Sequence, residues 1–458
     1  MRWQALGFRT IFFLAIAAAL DGLPAGKANA QQQTTPSVAG VIVDAEGTLK
    51  RTVVPDVGGQ TMAERRAAAE AGLAPEITRL SKFRKVSLTR LEKALRAKHG
   101  ALGDDMRYLA GLLRLRYVFF YPESGDIVIA GPAEGWRTDP VGRVVGISTG
   151  RPVLQLQDLV VALRAFPPGG EPPVISCSID PTQEGLAAMQ NFLRRMGNYA
   201  TPAQTSFIVN NLRSSLGMQK ISISGISPNT HFAQVLVEAD YRMKLIGIGL
   251  ERPPVRLAAF VDLATPSQIS RNALCRWYFV PDYKCVRTSD DGLAMELVGD
   301  GVRLVGENEV VSATGERRQA ASGSRASQTF VLGFTKRYAE LAERSPVYAE
   351  LRNLIDMSVA AAYIQKEDLY HKAGWTMELL GDERAFSVEV YNAPKQVESA
   401  VAAIWKGNTL MTPIGGGVHI EADRALDTEN VLADEDGKVG KLRESLQLQL
   451  AEGQWWWD

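Results

Sequence analysis

Hydrophobic and polar positions along this 458-residue chain switch repeatedly between a helical period near 3.6 and the two-residue alternation of a strand. Leu88, Leu91 and Leu95 share one helical face, and His99-Gly100 supplies the glycine that commonly ends such a helix. A helix is expected around Asp104–Leu113. Strands follow at Arg116–Tyr121 and Ile127–Ala130, which the turn residues Pro122 to Asp126 join as a hairpin. Val141–Ile147 reads as a strand and Leu156–Phe166 as a helix. Val174–Ile179 alternates, as do Ile221 and Ile223 with their serine neighbours. Asp180-Pro181-Thr182-Gln183 and Thr201-Pro202-Ala203-Gln204 each combine a capping residue, a proline at the first helical position and a glutamine at the third, so each predicts a helix start; Gly217 closes the second helix.

The later part of the chain adds a β-meander near 276–311, in which Asp300-Gly301 predicts a hairpin between Leu293–Val298 and Val302–Val305. A helical segment near 326–364 comes next. Ser345-Pro346 opens a helix there whose Val347, Leu351, Leu354, Ile355 and Ala362 form one stripe. Glu350, Arg352 and Asp356 keep that helix out of the membrane-spanning class. A strand is expected near Ala385–Tyr391, and Gly415-Gly416-Gly417 reads as a glycine loop leading into a strand that ends at Ile420. Strands and helices in this irregular order predict an α+β fold with mixed sheets.

Breaks in the pattern set the expected organisation. Pro167-Pro168-Gly169-Gly170-Glu171-Pro172-Pro173 reads as a connector, and the small polar stretch from Ser312 to Ser327 as a flexible loop. The segments expected are an extended arm at 31–60, α+β segments at 61–166, 174–311 and 328–422, and a charged tail at 423–458 that ends in a tryptophan cluster. Residues 1–30 read as a cleaved export signal: Arg2 and Arg9 precede the apolar run Ile11–Leu20, and Ala28-Asn29-Ala30 offers a small-residue cleavage site. That run is too short to span a bilayer, and no later stretch is long and uncharged enough to do so. The expectation is an exported protein, periplasmic or extracellular, with no transmembrane segment after leader removal.

Composition changes this picture little. The chain has 51 Lys and Arg against 51 Asp and Glu, and the expected leader carries away three of the bases and one acid. No single-sign field remains to attract nucleic acid, which is therefore not an expected partner. The four histidines (His99, His231, His371 and His419) are scattered without metal-ligand spacing, so neither a metal nor another cofactor is expected. Asp434-Glu435-Asp436-Gly437 resembles half a calcium loop, but Leu432 stands where the first Asp belongs. Gly146-Ile147-Ser148-Thr149-Gly150 has the spacing of a nucleophile elbow without the immediate helix, and reads as a turn.

The densest chemistry lies in His231–Ile246. Phe232, Val235, Leu236, Ala239, Met243 and Ile246 form a buried stripe, while Glu238–Arg242 and Asp240–Lys244 are acid-to-base pairs four residues apart. Two readings stand here. Glu238 or Asp240 acts as a general acid or base with His231 nearby, or the pairs decorate a solvated face. Helix geometry separates the candidates: nine residues put Asp240 roughly 180° from His231, whereas Glu238 shares its face.

The three cysteines leave room for a Cys275–Cys285 disulfide. A two-residue loop at Pro281-Asp282 would instead set Cys285 opposite Tyr278, and three buried thiols are the preferred reading. Trp455-Trp456-Trp457 is either a docking tag for a partner or a tail folded back on the body.

Five blocks, THFAQVLVEADYRMKLIGIGLE (230–251), RWYFVPDY (276–283), LAMELVGDGVRLVGE (293–307), ERSPVYAELRNLIDMSVAAAYI (343–364) and TPIGGGVHI (412–420), together resemble a family of exported planctomycete proteins of unknown function. The resemblance covers roughly residues 150–420. It implies a bacterial envelope or extracellular setting and brings no catalytic residue with it. The leading expectation is a non-enzymatic protein that binds or organises envelope or extracellular proteins or glycans. The alternatives are a secreted hydrolase acting on a peptide or glycan through a carboxylate, and a periplasmic small-ligand carrier, which needs a cleft between the first two segments.

Overall fold

The computed structural model describes residues 37–55, 59–196, 201–265, 273–312, 314, 316–319, 324–402, 405–406, 409–410, 414–446, 448 and 450–458. The expected export signal, the start of the arm and much of the polar stretch after Ser312 lie outside them. In chain order the main elements begin with β1 (Ser37–Val43), β2 (Thr48–Pro55) and α1 (Gln60–Gly72). The chain continues through β3 (Ser81–Ser87), α2 (Leu88–Ala97), β4 (Tyr117–Tyr121), β5 (Asp126–Ala133) and α3 (Leu156–Ala165). Next come β6 (Ile175–Asp180), α4 (Gln183–Met196), α5 (Thr205–Leu216), β7 (Met218–Ser224) and α6 (His231–Gly247). β8 (Ala273–Pro281), β9 (Val286–Thr288), β10 (Ala294–Leu297), β11 (Val302–Val311) and β12 (Arg317–Gln319) follow. The last are α7 (Arg325–Lys336), α8 (Tyr338–Arg344), α9 (Pro346–Lys366), β13 (Gln396–Glu398), β14 (Ile414–Ile420), α10 (Lys438–Ser445) and β15 (Trp456–Trp457).

This is an α+β fold built on two mixed-origin sheets. The larger has the order β1-β2-β13-β7-β6-β14-β8-β11-β12, and the smaller β9-β10-β4-β5-β3-β15. Most neighbours are antiparallel, but β14 runs parallel to β8 and β13 parallel to β2. Strands from 37–55, 175–224, 273–319 and 396–420 thus share one sheet. The helix α9 lies in the core and buries nearly its whole length, against α3, α6 and α8. Among the described residues no helix is long and apolar enough to cross a membrane.

The centre of the larger sheet explains the glycine run. Gly416 and Gly417 sit inside β14, not in a loop before it. A Cβ on Gly416 would lie 1.9 Å from the Trp277 carbonyl oxygen, and one on Gly417 would lie 2.0 Å from that of Cys177. Gly416 also has φ +138°, a region that favours glycine. Across the sheet the Trp277 ring packs so close to α6 that a Cβ on Gly247 would lie 2.1 Å from it. The indole N–H of Trp277 donates to Ser327 Oγ at 2.8 Å.

Two local expectations are corrected, at Asp300-Gly301 and at 385–391. Asp300-Gly301 does turn the chain, but β10 pairs with β9 and β4 while β11 pairs with β8, so the turn passes the chain from one sheet to the other. Turn chemistry cannot tell which partner the next strand will take. The same switch at 282–285 separates Cys275 from Cys285. Cys275 lies in β8 opposite Asn308, Cys285 sits beside the smaller sheet, and all three cysteines are free, buried thiols. Residues 385–391 form no strand. The end of this stretch is held by mutual bonds in which Tyr391 N–H donates to the Asn229 carbonyl and the Asn229 amide to that of Tyr391, both at 3.0 Å.

The tryptophan tail folds back. β15 adds to the edge of β3, with Trp456 opposite Val86, and Trp455 is buried. Beneath it the fully buried Arg84 donates to both carboxylate oxygens of Asp458, at 2.9 and 3.0 Å. The guanidinium also lies 4.8 Å from the Trp456 ring centroid and donates to the carbonyls of Ile77, Ala110, Glu76 and Arg79. The tail thus packs on the protein's own fold.

Candidate functional site

Thr230 caps α6: its Oγ1 accepts from Ala233 N–H at 3.2 Å and donates to the Ser227 carbonyl at 2.9 Å. The helix then enters the interior. Both acid–base pairs form, but neither is solvated: Glu238, Asp240, Arg242 and Lys244 are all buried, Asp240 completely. The expectation of an exposed polar face is overturned because α9 covers one side of α6 and the larger sheet the other.

The two sides carry different chemistry, as helix geometry requires. On the sheet side Lys244 Nζ donates to Asp240 Oδ2 at 2.7 Å and to the carbonyls of Ile179 and Gly416 at 2.9 and 3.0 Å. This ties α6 to β6 and β14. Burial raises the Asp240 carboxyl to about 6 against the opposing pull of Lys244, and its Oδ1 has no hydrogen-bond partner. Asp240 faces away from His231 and lines none of the cavities described below.

The other side opens on a cavity of about 360 Å3. His231 lines it, with Nδ1 held 2.8 Å from Asp158 Oδ2 on α3 and its ring 5.8 Å from that of Tyr391. Burial works against the imidazolium, but the adjacent Asp158 carboxylate more than offsets it and lifts the pKa to about 9. The ring is therefore charged at neutral pH, and Nε2 keeps a proton with no protein acceptor among the described residues.

Glu238 reaches the same cavity but is held by two arginines. It accepts from Arg143 and, at 3.2 Å, from Arg242. Arg143, from the loop before the short strand 144–146, also donates to Glu350 Oε2 and to the Ala39 carbonyl, each at 3.0 Å. Burial raises the Glu350 carboxyl, with Arg143 and His231 opposing. Arg242 continues the series by donating twice to Glu251 Oε1, at 2.9 and 2.7 Å, and Arg51 stands 3.6 Å from the other Glu251 oxygen. The result is an alternating chain, Glu350–Arg143–Glu238–Arg242–Glu251–Arg51, buried up to its exposed end at Arg51. Each charge is matched, which is how buried ions are tolerated.

Of the residues singled out in the sequence, His231 and Glu238 meet at this cavity and Asp240 does not. Sequence reading missed Arg143, Asp158 and Glu251 because nothing local marks them. For Glu350 a signal existed, as an acid beside an apolar helical stripe. Ser148 sits in the expected turn, where Glu134 accepts its backbone N–H at 3.0 Å. Asp434 caps α10 by accepting from Val439 and Gly440 N–H groups at 3.0 and 3.1 Å. Among the described residues no group of three or more His, Cys, Asp or Glu side chains is placed to hold a metal ion.

Residues 177–260 match the model of a family described as "Protein of unknown function (DUF1598)". The matched stretch runs from β6 past α6 and contains His231, Glu238, Arg242 and Glu251. No curated protein and no solved structure matched.

Proposed function

We propose that this chain is an exported, non-enzymatic binding protein of the bacterial envelope or extracellular space that takes a small zwitterion, such as a free amino acid, at the His231 cavity. The observation that carries the reading is the pairing at that cavity. His231 offers a charged N–H and Glu350 a free carboxylate oxygen, while the surrounding charges cancel, so a ligand with one cation and one anion matches the wall. A volume of about 360 Å3 lies within the range of small-molecule sites. Residues of the first two segments, Arg143 and Gln155 with His231 and Gln234, line it together, as a carrier requires. Against a hydrolase stands the engagement of Glu238 by two arginines and of Asp240 by Lys244, which leaves neither free to move a proton. The resemblance to exported planctomycete proteins supports the same cellular setting.

Two measurements test this. Isothermal titration of the purified chain with the common amino acids, and with neutral monosaccharides for comparison, should find saturable binding of at least one amino acid that His231→Gln weakens tenfold or more. Binding of sugars alone, or of nothing, would overturn the zwitterion reading. For export, residues 1–30 fused to an alkaline phosphatase that is active only outside the cytoplasm should yield active enzyme, and an inactive fusion refutes that part.

A further inference from the structure

The last three members of the buried charge chain, Arg242, Glu251 and Arg51, line a second cavity of about 330 Å3 that shares no lining residue with the first. Its wall carries five arginines against two carboxylates, so it is strongly cationic where the His231 cavity is balanced. Arg242 and Glu251 neutralise each other within the chain. Asp139 turns one carboxylate oxygen to the backbone N–H groups of Val141 and Arg143, at 2.9 and 2.8 Å.

Arg51 stands 3.6 Å from Glu251, and the other three cations of the wall form no ion pair among the described residues. Arg252 is exposed and makes no hydrogen bond or ion pair among the described residues. Arg344 donates only to the Pro254 carbonyl, at 3.2 Å. Arg137 contacts Met62 Sδ through one nitrogen, and its Nε is buried with no partner. An unpaired buried guanidinium nitrogen is costly unless something fills the space beside it.

Ser345 is the second, independent sign. It occupies the N-cap position of the 21-residue α9, where a serine hydroxyl ordinarily accepts a helix N–H, yet it makes no capping bond. It is 4% exposed, lines this cavity, and its Oγ has no partner. Pro346 follows at the first helical position, so the positive end of the α9 dipole opens here with a free hydroxyl in front of it.

We propose that this cavity binds a doubly charged tetrahedral oxyanion, phosphate or sulfate, with Arg137, Arg252 and Arg344 supplying charge and Ser345 Oγ a directional donor. Guanidinium groups match such oxyanions by paired N–H donors, and the helix N-terminus adds to the same field. The site shares no lining residue with the His231 cavity. The group arrives either as the free ion or as the head of an ester, whose organic part would occupy the rest of the cavity.

The test is titration calorimetry of the full purified chain at constant ionic strength. Inorganic phosphate and sulfate form one arm, phosphoserine and glucose 6-sulfate the other, and chloride is the reference. Saturable binding of either free ion, with the esters no tighter, identifies the ion as the ligand. Esters binding at least tenfold tighter identify the ester. Because Arg252 and Arg344 are exposed and make no ion pair, the double variant R252A/R344A should fold normally and bind at least tenfold more weakly. Ser345→Ala should weaken binding several-fold. No saturation by any of the four probes, or unchanged affinity in a folded R252A/R344A variant, overturns the proposal.

Discussion

Replacing Glu238 by glutamine is the sharpest test of the buried charge chain. The substitution keeps the side chain's size and one acceptor oxygen but removes the charge that Arg143 and Arg242 share. Both arginine side chains are less than a tenth exposed, at 9% and 8%. Without the central carboxylate the chain holds three cations, the buried Arg143 and Arg242 and the exposed Arg51, against two anions. Breaking a buried ion pair by removing one partner costs about 3–5 kcal/mol. Arg143 retains Glu350 and Arg242 retains Glu251, which places the expected loss near the lower end, about 3 kcal/mol. Urea unfolding at pH 7, followed by tryptophan fluorescence and extrapolated to water, measures it directly. The double variant E238Q/R242M restores balance, since Glu350–Arg143 and Glu251–Arg51 remain as neutral pairs. It should therefore be more stable than the sum of the single losses implies, by about 1–3 kcal/mol. A loss below about 0.5 kcal/mol for E238Q, the size typical of surface changes, would refute the reasoning. Strict additivity in the double variant would do the same.

Three further outcomes are expected. His231 has its pKa raised to about 9, above an unfolded value of about 6.5, so its contribution is fully present below pH 6.5 and lost as pH rises through 9. Unfolding free energy should fall by on the order of 3 kcal/mol across that window, and His231→Gln should flatten the slope; equal slopes count against the His231–Asp158 pair. Deleting Trp455–Asp458 strips the buried Arg84 of its carboxylate and leaves the β3 edge unpaired, and should lower stability by about 3–5 kcal/mol in the same urea assay. Gly416→Ala should abolish accumulation of folded protein, because its Cβ would meet the Trp277 carbonyl, whereas Gly72→Ala at the end of α1 meets nothing and should be neutral or slightly stabilising.

Much of the local structure is written in the chain itself. The stripe of Leu88, Leu91 and Leu95 and the hairpin of β4 and β5 form where the pattern places them, because their cause lies within a few residues. The two helix starts slip past their signals: α4 opens at Gln183 with Thr182 Oγ1 accepting from Gly185 N–H, and α5 opens at Thr205 with no side-chain cap. The division of α6 was also legible: a turn of 100° per residue sends Asp240 one way and His231 with Glu238 the other. What the sequence could not carry is which surfaces meet. The same Glu238–Arg242 and Asp240–Lys244 spacing that suits a solvated face is here sealed between α9 and the larger sheet. That seals Asp240–Lys244 against the sheet and joins Glu238–Arg242 to a charge chain whose members Arg143, Glu350 and Arg51 lie far away in the sequence. Asp300-Gly301 makes its turn in either case, yet β11 takes as its partner β8, whose Trp277 and Phe279 pack against rings of α7 and α8. Periodicity and turn chemistry act over a few residues and determine the elements. Burial and charge compensation act between residues distant in sequence, and only the tertiary structure decides them.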